Sequence, residues 1–105
     1  MSDTAAAQQI KTAVEQHLGV PSILVNNAGG DIAARGGKPK PNDALGVPME
    51  DVRAIFDRNL IGTMLVCRAV MPGMIGRRSG SVVNIASTAG HFGTSPEVAY
   101  ATIKA

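Results

Sequence analysis

At 105 residues with 45% hydrophobic composition, the chain is long enough for one modest core. With one tyrosine, two phenylalanines and no tryptophan, that core has to be built from Ala, Val, Ile, Leu and Met. A formal charge of +2 with scattered basic residues lacks the footprint of a nucleic-acid binder, and the composition is too apolar for a disordered chain.

Ser2 or Asp3 is placed to cap a helix that runs to about Leu18, with Ala6, Ile10, Ala13, Val14 and Leu18 on one stripe and Gly19 as its stop. His17 suits the negative pole of that helix. Pro21 blocks resumption, and Ile23-Leu24-Val25 reads as a strand buried on both faces. It leads into Asn26-Asn27-Ala28-Gly29-Gly30, residues suited to a turn.

Residues 30–47 hold four glycines and two prolines and are expected to form a long loop of the functional or mobile kind. Arg35, Lys38 and Lys40 in it are expected to be solvated or to meet a substrate or cofactor phosphate. Pro48 then opens a helix whose first turn carries Glu50 and Asp51, with apolar residues from Val52 to Met71 at helical spacing up to Pro72. Gly62 marks a close contact or a slight break within it. Cys67 lies in that apolar run as a small hydrophobe, and a lone cysteine fits a reducing compartment.

A basic, glycine-rich turn at residues 76–80 precedes Ser81-Val82-Val83-Asn84-Ile85, a second buried strand, and the small residues 86–93 read as a loop. Pro96 and Glu97 suit the start of a last helix. No stretch approaches about 18 uninterrupted apolar residues, and the N-terminus lacks a signal-peptide pattern, so a cytoplasmic protein is expected. The alternation of strands and helices implies consecutive βα units and a parallel sheet with right-handed crossovers. In such a sheet ligands bind beyond the carboxyl ends of the strands, where the segments 26–30 and 86–90 would lie. Tyr100 and Lys104, one helical turn apart, place a phenol beside a cation that favours its phenolate, the arrangement of a general acid and base. A solvated structural pair is the alternative.

In order along the chain, Asn26-Asn27-Ala28-Gly29, Asn59, Gly80-Ser81-Val82-Val83-Asn84-Ile85-Ala86-Ser87 and Tyr100-x3-Lys104 resemble the motifs of the short-chain dehydrogenases/reductases. The resemblance implies an α/β fold with a Rossmann-type doubly wound parallel sheet in three α/β/α layers. It implies hydride transfer between NAD or NADP and a small-molecule carbonyl or alcohol. Asn59, Ser87, Tyr100 and Lys104 would be the catalytic residues, with Ser87 donating to the carbonyl oxygen, Tyr100 moving the proton, and Asn59 holding a water that links Lys104 to solvent. Asn27, Ala28, Gly29, Tyr100 and Lys104 would bind the cofactor, and no metal is expected. His91 and Phe92, just past Ser87, would line the substrate pocket or be merely exposed. Taken singly, Asn26 and Asn27 could be plain turn residues, Asn59 a bond across a helix contact, and Ser87 a turn cap.

The family's opening strand and TGxxxGxG turn, which hold the cofactor pyrophosphate, do not occur in these residues, nor does the residue that selects NAD or NADP. Residues 1–105 are therefore expected to be the central part of a single NAD(P)-binding domain truncated at both ends, inactive when isolated. The complete enzyme would be a homodimer or homotetramer free of nucleic acid and membrane. A non-catalytic scaffold associating through the helix of residues 51–71 is the alternative. Residues 30–47 exceed the family's usual length there, a hint of a specialised pocket cover.

Overall fold

The computed structural model describes residues 3–93 and 95–105. They divide into two compact units, the first made of Met1–Asn27 and Ile61–Ile85, the second of Ala28–Leu60 and Ala86–Ala105.

In the first unit, helix α1 (Thr4–Leu18) begins at Asp3, whose carboxylate accepts the Ala5 N–H and so satisfies one of the open donors of the first turn. Ser2, the other expected cap, lies outside the described residues. Gly19, at φ 89°, closes the helix by returning its N–H to the Glu15 carbonyl. Strands β1 (Ile23–Asn26) and β2 (Ser81–Asn84) pair in parallel with Ile23 opposite Ser81 and Asn26 opposite Asn84. The sheet is parallel, as the alternation of elements implies, and it fits the partial Rossmann-type α/β fold that the family resemblance implies.

The core of this unit is Ala7, Ala69, Val70 and Met74, backed by Leu24, Leu65, Val66 and Val82. Small residues dominate it, so α1 and helix α3 (Gly62–Arg77) can pack closely. Just past the end of α1 the chain also presses on α3, since a Cβ on Gly73 would stand 2.9 Å from a Val20 methyl. The strands are not buried on both faces as expected, for Ile23 and Val25 are 64% and 53% exposed. Within this unit the buried residues of the helices meet the sheet through Leu24 and Val82, which point the opposite way from Ile23 and Val25.

Helix α3 also runs past Pro72, where the sequence suggests a stop, to Arg78, whose left-handed backbone (φ 54°) ends it. Proline in a helix interior forfeits one hydrogen bond and crowds the preceding turn. Burial of Val70 and Met74 on either side of it favours continuation. With helix α2 (Met49–Phe56) and the π-helical turn Asp57–Ile61, α3 forms a run of 29 residues, Met49–Arg77, that is long and apolar enough by composition to cross a membrane. That apolarity lies in an 18-residue window of the run holding at most two charged residues, and such an interruption is why no uninterrupted apolar stretch reveals it in the sequence. Gly62 follows the π turn, so the expected break is there.

In the second unit, residues 28–48 contain no helix or strand, yet they are tied down along their length. Arg58 donates to the carbonyls of Ile32 and Ala33, and buried Asp51 accepts the Ala34 N–H at 2.9 Å. The Asn42 side chain donates to Asp31 at 2.8 Å. Asp51→Ala would leave the Ala34 N–H without its partner, and a loss of about 1–3 kcal/mol in urea unfolding is expected. Asp51→Asn keeps an accepting oxygen and forfeits only the charge near the helix start, about 0.3–1 kcal/mol. Equal losses in the two variants would disprove the assignment.

Helix α5 (Val98–Lys104) is braced on two sides, by α2 and by the single-turn helix α4 (Ala89–Phe92). Residues 86–93 are thus not all loop. Ala99 and Ala101 of α5 are buried, as is Ile55 of α2, and the Val98 N–H reaches the Asn42 carbonyl at 3.4 Å.

Candidate active site

Asn59, Ser87, Tyr100 and Lys104 all belong to the second unit, together with Ala28 and Gly29, whereas Asn27 ends the first. Tyr100 and Lys104 sit one turn apart on α5, both half-buried, with the Lys104 ammonium 5.9 Å from the centre of the phenol ring. The helix that carries them is fixed at its start, where the 3-10 turn Ser95–Glu97 leads into it. There Lys38 of the long loop pairs with Glu97 at 2.7 Å.

The Lys38 ammonium is held above its usual value of 10.5, chiefly by its hydrogen bond and charge attraction to Glu97. A raised lysine keeps its contribution at every pH below its unfolded value and loses it as pH rises through the folded one. Loosening of residues 35–40 is therefore expected only above about pH 10.5, and Lys38→Met should loosen them at neutral pH too. Amide exchange at Gly36 and Gly37 that is insensitive to both changes would refute this. Arg35 and Lys40 are exposed, as solvated loop cations would be.

Ser87 lies at the entry to α4. Its Oγ accepts the Ala89 N–H at 3.2 Å and its carbonyl accepts the Gly90 N–H at 3.1 Å. The turn-cap reading is thus correct for its lone pair, and it leaves the hydroxyl hydrogen available to donate outward. Phe92, with Thr88, Ala89, Gly93, Pro96 and Glu97, lines an open cleft of about 330 Å³ on this side of the unit. His91 is exposed and does not line it. A cleft of similar size in the first unit, around Met71, Met74 and Val82, contains none of the site residues.

Asn59, in the middle of the π turn, grips the backbone of Gly30 from both sides, accepting its N–H at 2.9 Å and donating to its carbonyl at 2.9 Å. The same amide donates to the Ile55 carbonyl four residues back, at 2.8 Å. A Cβ on Gly29 would collide with the Asn59 side-chain oxygen and come within 3.2 Å of its amide carbon, and Gly29 itself holds φ 152°, a conformation open mainly to glycine. The asparagine and the glycine are thus matched pieces of one contact. Ala28 and Gly29 remain exposed on their other side.

Asn26, which the sequence suggests as a turn residue, instead spans the end of the sheet, donating to Asn84 Oδ1 at 2.8 Å and to Cys67 Sγ at 3.4 Å. Asn84 carries no motif signal of its own in this role, and only its place opposite Asn26 in a parallel pair indicates it. Among the described residues no three histidine, cysteine or acidic side chains cluster as metal ligands would.

A family model described as short chain dehydrogenase matches residues 1–105. The chain is 40% identical over 102 residues to a 3-oxoacyl-(acyl-carrier-protein) reductase of Thermotoga maritima, covering 92% of this chain and 37% of the reductase. It is 31% identical over 91 residues to human 17-beta-hydroxysteroid dehydrogenase 13, covering 87% of this chain and 28% of that protein. Among solved structures, NAD+-bound xylitol dehydrogenase superposes with a TM-score of 0.85 at 29% identity, over 98% of this chain and 37% of the other. A closed form of serine dehydrogenase complexed with NADP+ superposes at 0.83 and 30% identity, over 98% and 39%. The chain spans about a third of the length of the curated relatives it matches.

Proposed function

The chain belongs to the short-chain dehydrogenase family, and on that premise we propose that it carries the proton-transfer part of an NAD- or NADP-dependent oxidoreductase site acting on a small carbonyl or alcohol. The observation that carries this reading is Tyr100 under the Lys104 cation on a braced helix, in the same unit as Ser87, whose Oγ accepts the Ala89 N–H and can still donate its own hydrogen. Its relatives include two reductases or dehydrogenases of carbonyl and hydroxyl groups and structures with NAD+ or NADP+ bound.

The residues present suit the nicotinamide-ribose end of such a cofactor. Asn27, Ala28 and Gly29 are exposed and carry little bulk beyond the first of them, so a flat ligand can approach their backbone closely. Lys104 and Tyr100 would hold the ribose hydroxyls. When bound, the cofactor supplies or accepts the hydride.

The chain's own residues would do the rest. As the carbonyl carbon accepts hydride, negative charge builds on its oxygen, and the Ser87 hydroxyl donates to that oxygen from an orientation already set by the Ala89 N–H. Tyr100 gives its proton to the same oxygen in reduction and removes it in oxidation. Lys104 stands over the ring that carries this proton, its ammonium 5.9 Å from the ring centre. Asn59 keeps the water-holding part that family likeness assigns it, and its amide bonds give it a second task, holding the Gly29–Gly30 backbone in shape. The single cysteine fits a reducing, cytoplasmic setting. Met64 and Met71 are exposed on α3, which would serve association of copies in the whole protein.

Grafting these residues into the Thermotoga reductase in place of the matched segment tests the reading. Carbonyl-dependent loss of NAD(P)H absorbance by a folded hybrid is expected. A folded, cofactor-binding hybrid that is inert toward a panel of ketones and aldehydes would overturn it.

A further inference from the structure

We propose that Gly90 is a positioning residue for Lys104, the bare backbone against which the end of the catalytic helix is set. A Cβ built on Gly90 would stand 2.5 Å from the Lys104 carbonyl carbon and 2.8 Å from the Ala105 nitrogen, and would overlap the Lys104 carbonyl oxygen. All three are backbone atoms, so no side-chain rotation relieves the contact. Either α4 or the end of α5 has to move.

The movement falls on Lys104. The other end of α5 is anchored by the Val98 N–H to the Asn42 carbonyl and, one residue earlier, by Glu97 to Lys38, and Ala99 and Ala101 are buried in between. Tyr100 sits in this anchored part. A side chain at position 90 would therefore shift the ammonium relative to the phenol rather than moving both together. A Cβ on Gly93, at the close of the same short helix, would meet nothing within 4 Å, so the close approach is particular to Gly90. The hydrogen that Gly90 carries in place of Cβ is directed at the Lys104 carbonyl, which only glycine lets come this near.

The role of Lys104 in this inference rests on the proposed function, while the contact itself does not. Three measurements test it. In the folded 105-residue chain, a nuclear Overhauser effect between the Gly90 α-hydrogens and the Ala105 amide is expected, and its absence would overturn the proposal. Tyr100 is the only tyrosine in a chain without tryptophan, so its ring resonances are read without overlap from either. Gly90→Ala should move them in the direction that Lys104→Ala does, whereas His91→Ala, exposed on the same turn, should not. Matching shifts in the Gly90 and His91 variants would mean a loosened α4 and nothing more, and would refute positioning.

In the grafted reductase, Gly90→Ala is expected to lower kcat about 10- to 100-fold, the scale of an ångström-size misplacement. That loss should vanish when Lys104 is already alanine, because the two act through one group. Equal losses in both backgrounds would overturn it. If the graft is inert, the functional reading fails and the two spectroscopic arms still decide Gly90. If Gly90→Ala does not fold, the effect in the unsubstituted chain decides whether the contact exists.

Discussion

Tyr100→Phe is expected to lower kcat for carbonyl reduction by about 10²- to 10⁴-fold in the grafted reductase, with a much smaller loss of cofactor affinity from the ribose contact of its hydroxyl. Phenylalanine keeps the ring that lies under the Lys104 ammonium and removes only the hydroxyl, so the helix and its packing stay as they are. What disappears is the group that can give a proton to the developing oxyanion. Ser87 cannot substitute for it. Its Oγ is turned by the Ala89 N–H, and it stays in the variant as the hydrogen-bond donor it already was, adding no second proton source. Single-turnover measurement of hydride transfer separates this from slow product release. A variant retaining half the parent rate would remove Tyr100 from the reaction, and with it the proposal that this chain carries the proton-transfer groups.

Asn59→Asp is expected to destabilise the second unit by about 2–4 kcal/mol, the largest stability effect anticipated for an isosteric change in this chain. Aspartate has the same shape and keeps the oxygen that accepts the Gly30 N–H. It has no N–H to give, so the Gly30 and Ile55 carbonyls each lose a donor and face a carboxylate oxygen instead. Two lost bonds account for the lower figure, and repulsion between the carboxylate and the two carbonyls raises it. The damage should be local, with amide exchange quickening first at residues 28–33 and in the π turn. Urea unfolding followed at those amides reads it directly. A change below about 0.5 kcal/mol would mean that the Asn59 amide bonds do not hold the loop.

The two variants separate what Asn59 and Tyr100 each do. Asn59 acts through the backbone it grips, and the loss from Asn59→Asp should be visible without substrate or cofactor. Tyr100 acts on the reacting atoms, and Tyr100→Phe should leave unfolding by urea almost unchanged. The opposite pattern in either would exchange their roles.

Local chemistry decided much of the fold in advance. The Asp3 cap and Gly19 stop delimit α1, and the short aliphatic run Ile23-Leu24-Val25 and its counterpart Ser81-Val82-Val83 pair as the parallel strands their surroundings imply. Both signals are short-range, since a capping carboxylate or a β-branched run acts within a few residues. Pro72 misled for the complementary reason. Its local cost is real, but the burial of Val70 and Met74 against α1 is a long-range gain that no local pattern contains. Composition was right about the long loop, where glycine and proline announced irregular backbone, but it held no sign of the bonds from Asp51, Arg58 and Lys38 that tie that backbone down.

The sequence by itself determined which chemical groups this protein possesses and in what order: a phenol and an ammonium at helical spacing, a serine past a strand, and small residues after Asn27. Family membership was legible from that order, because motifs recur as strings of residue types. Tertiary structure alone decided what those groups touch. That Asn59 spends its amide on Gly30 and Ile55, that the Ser87 lone pair is taken by Ala89, and that Gly90 abuts the Lys104 backbone all depend on segments between 14 and 29 residues apart or on the sense of a single turn. Hydrogen bonds and van der Waals contacts act over a few ångströms, so only the folded chain could specify them.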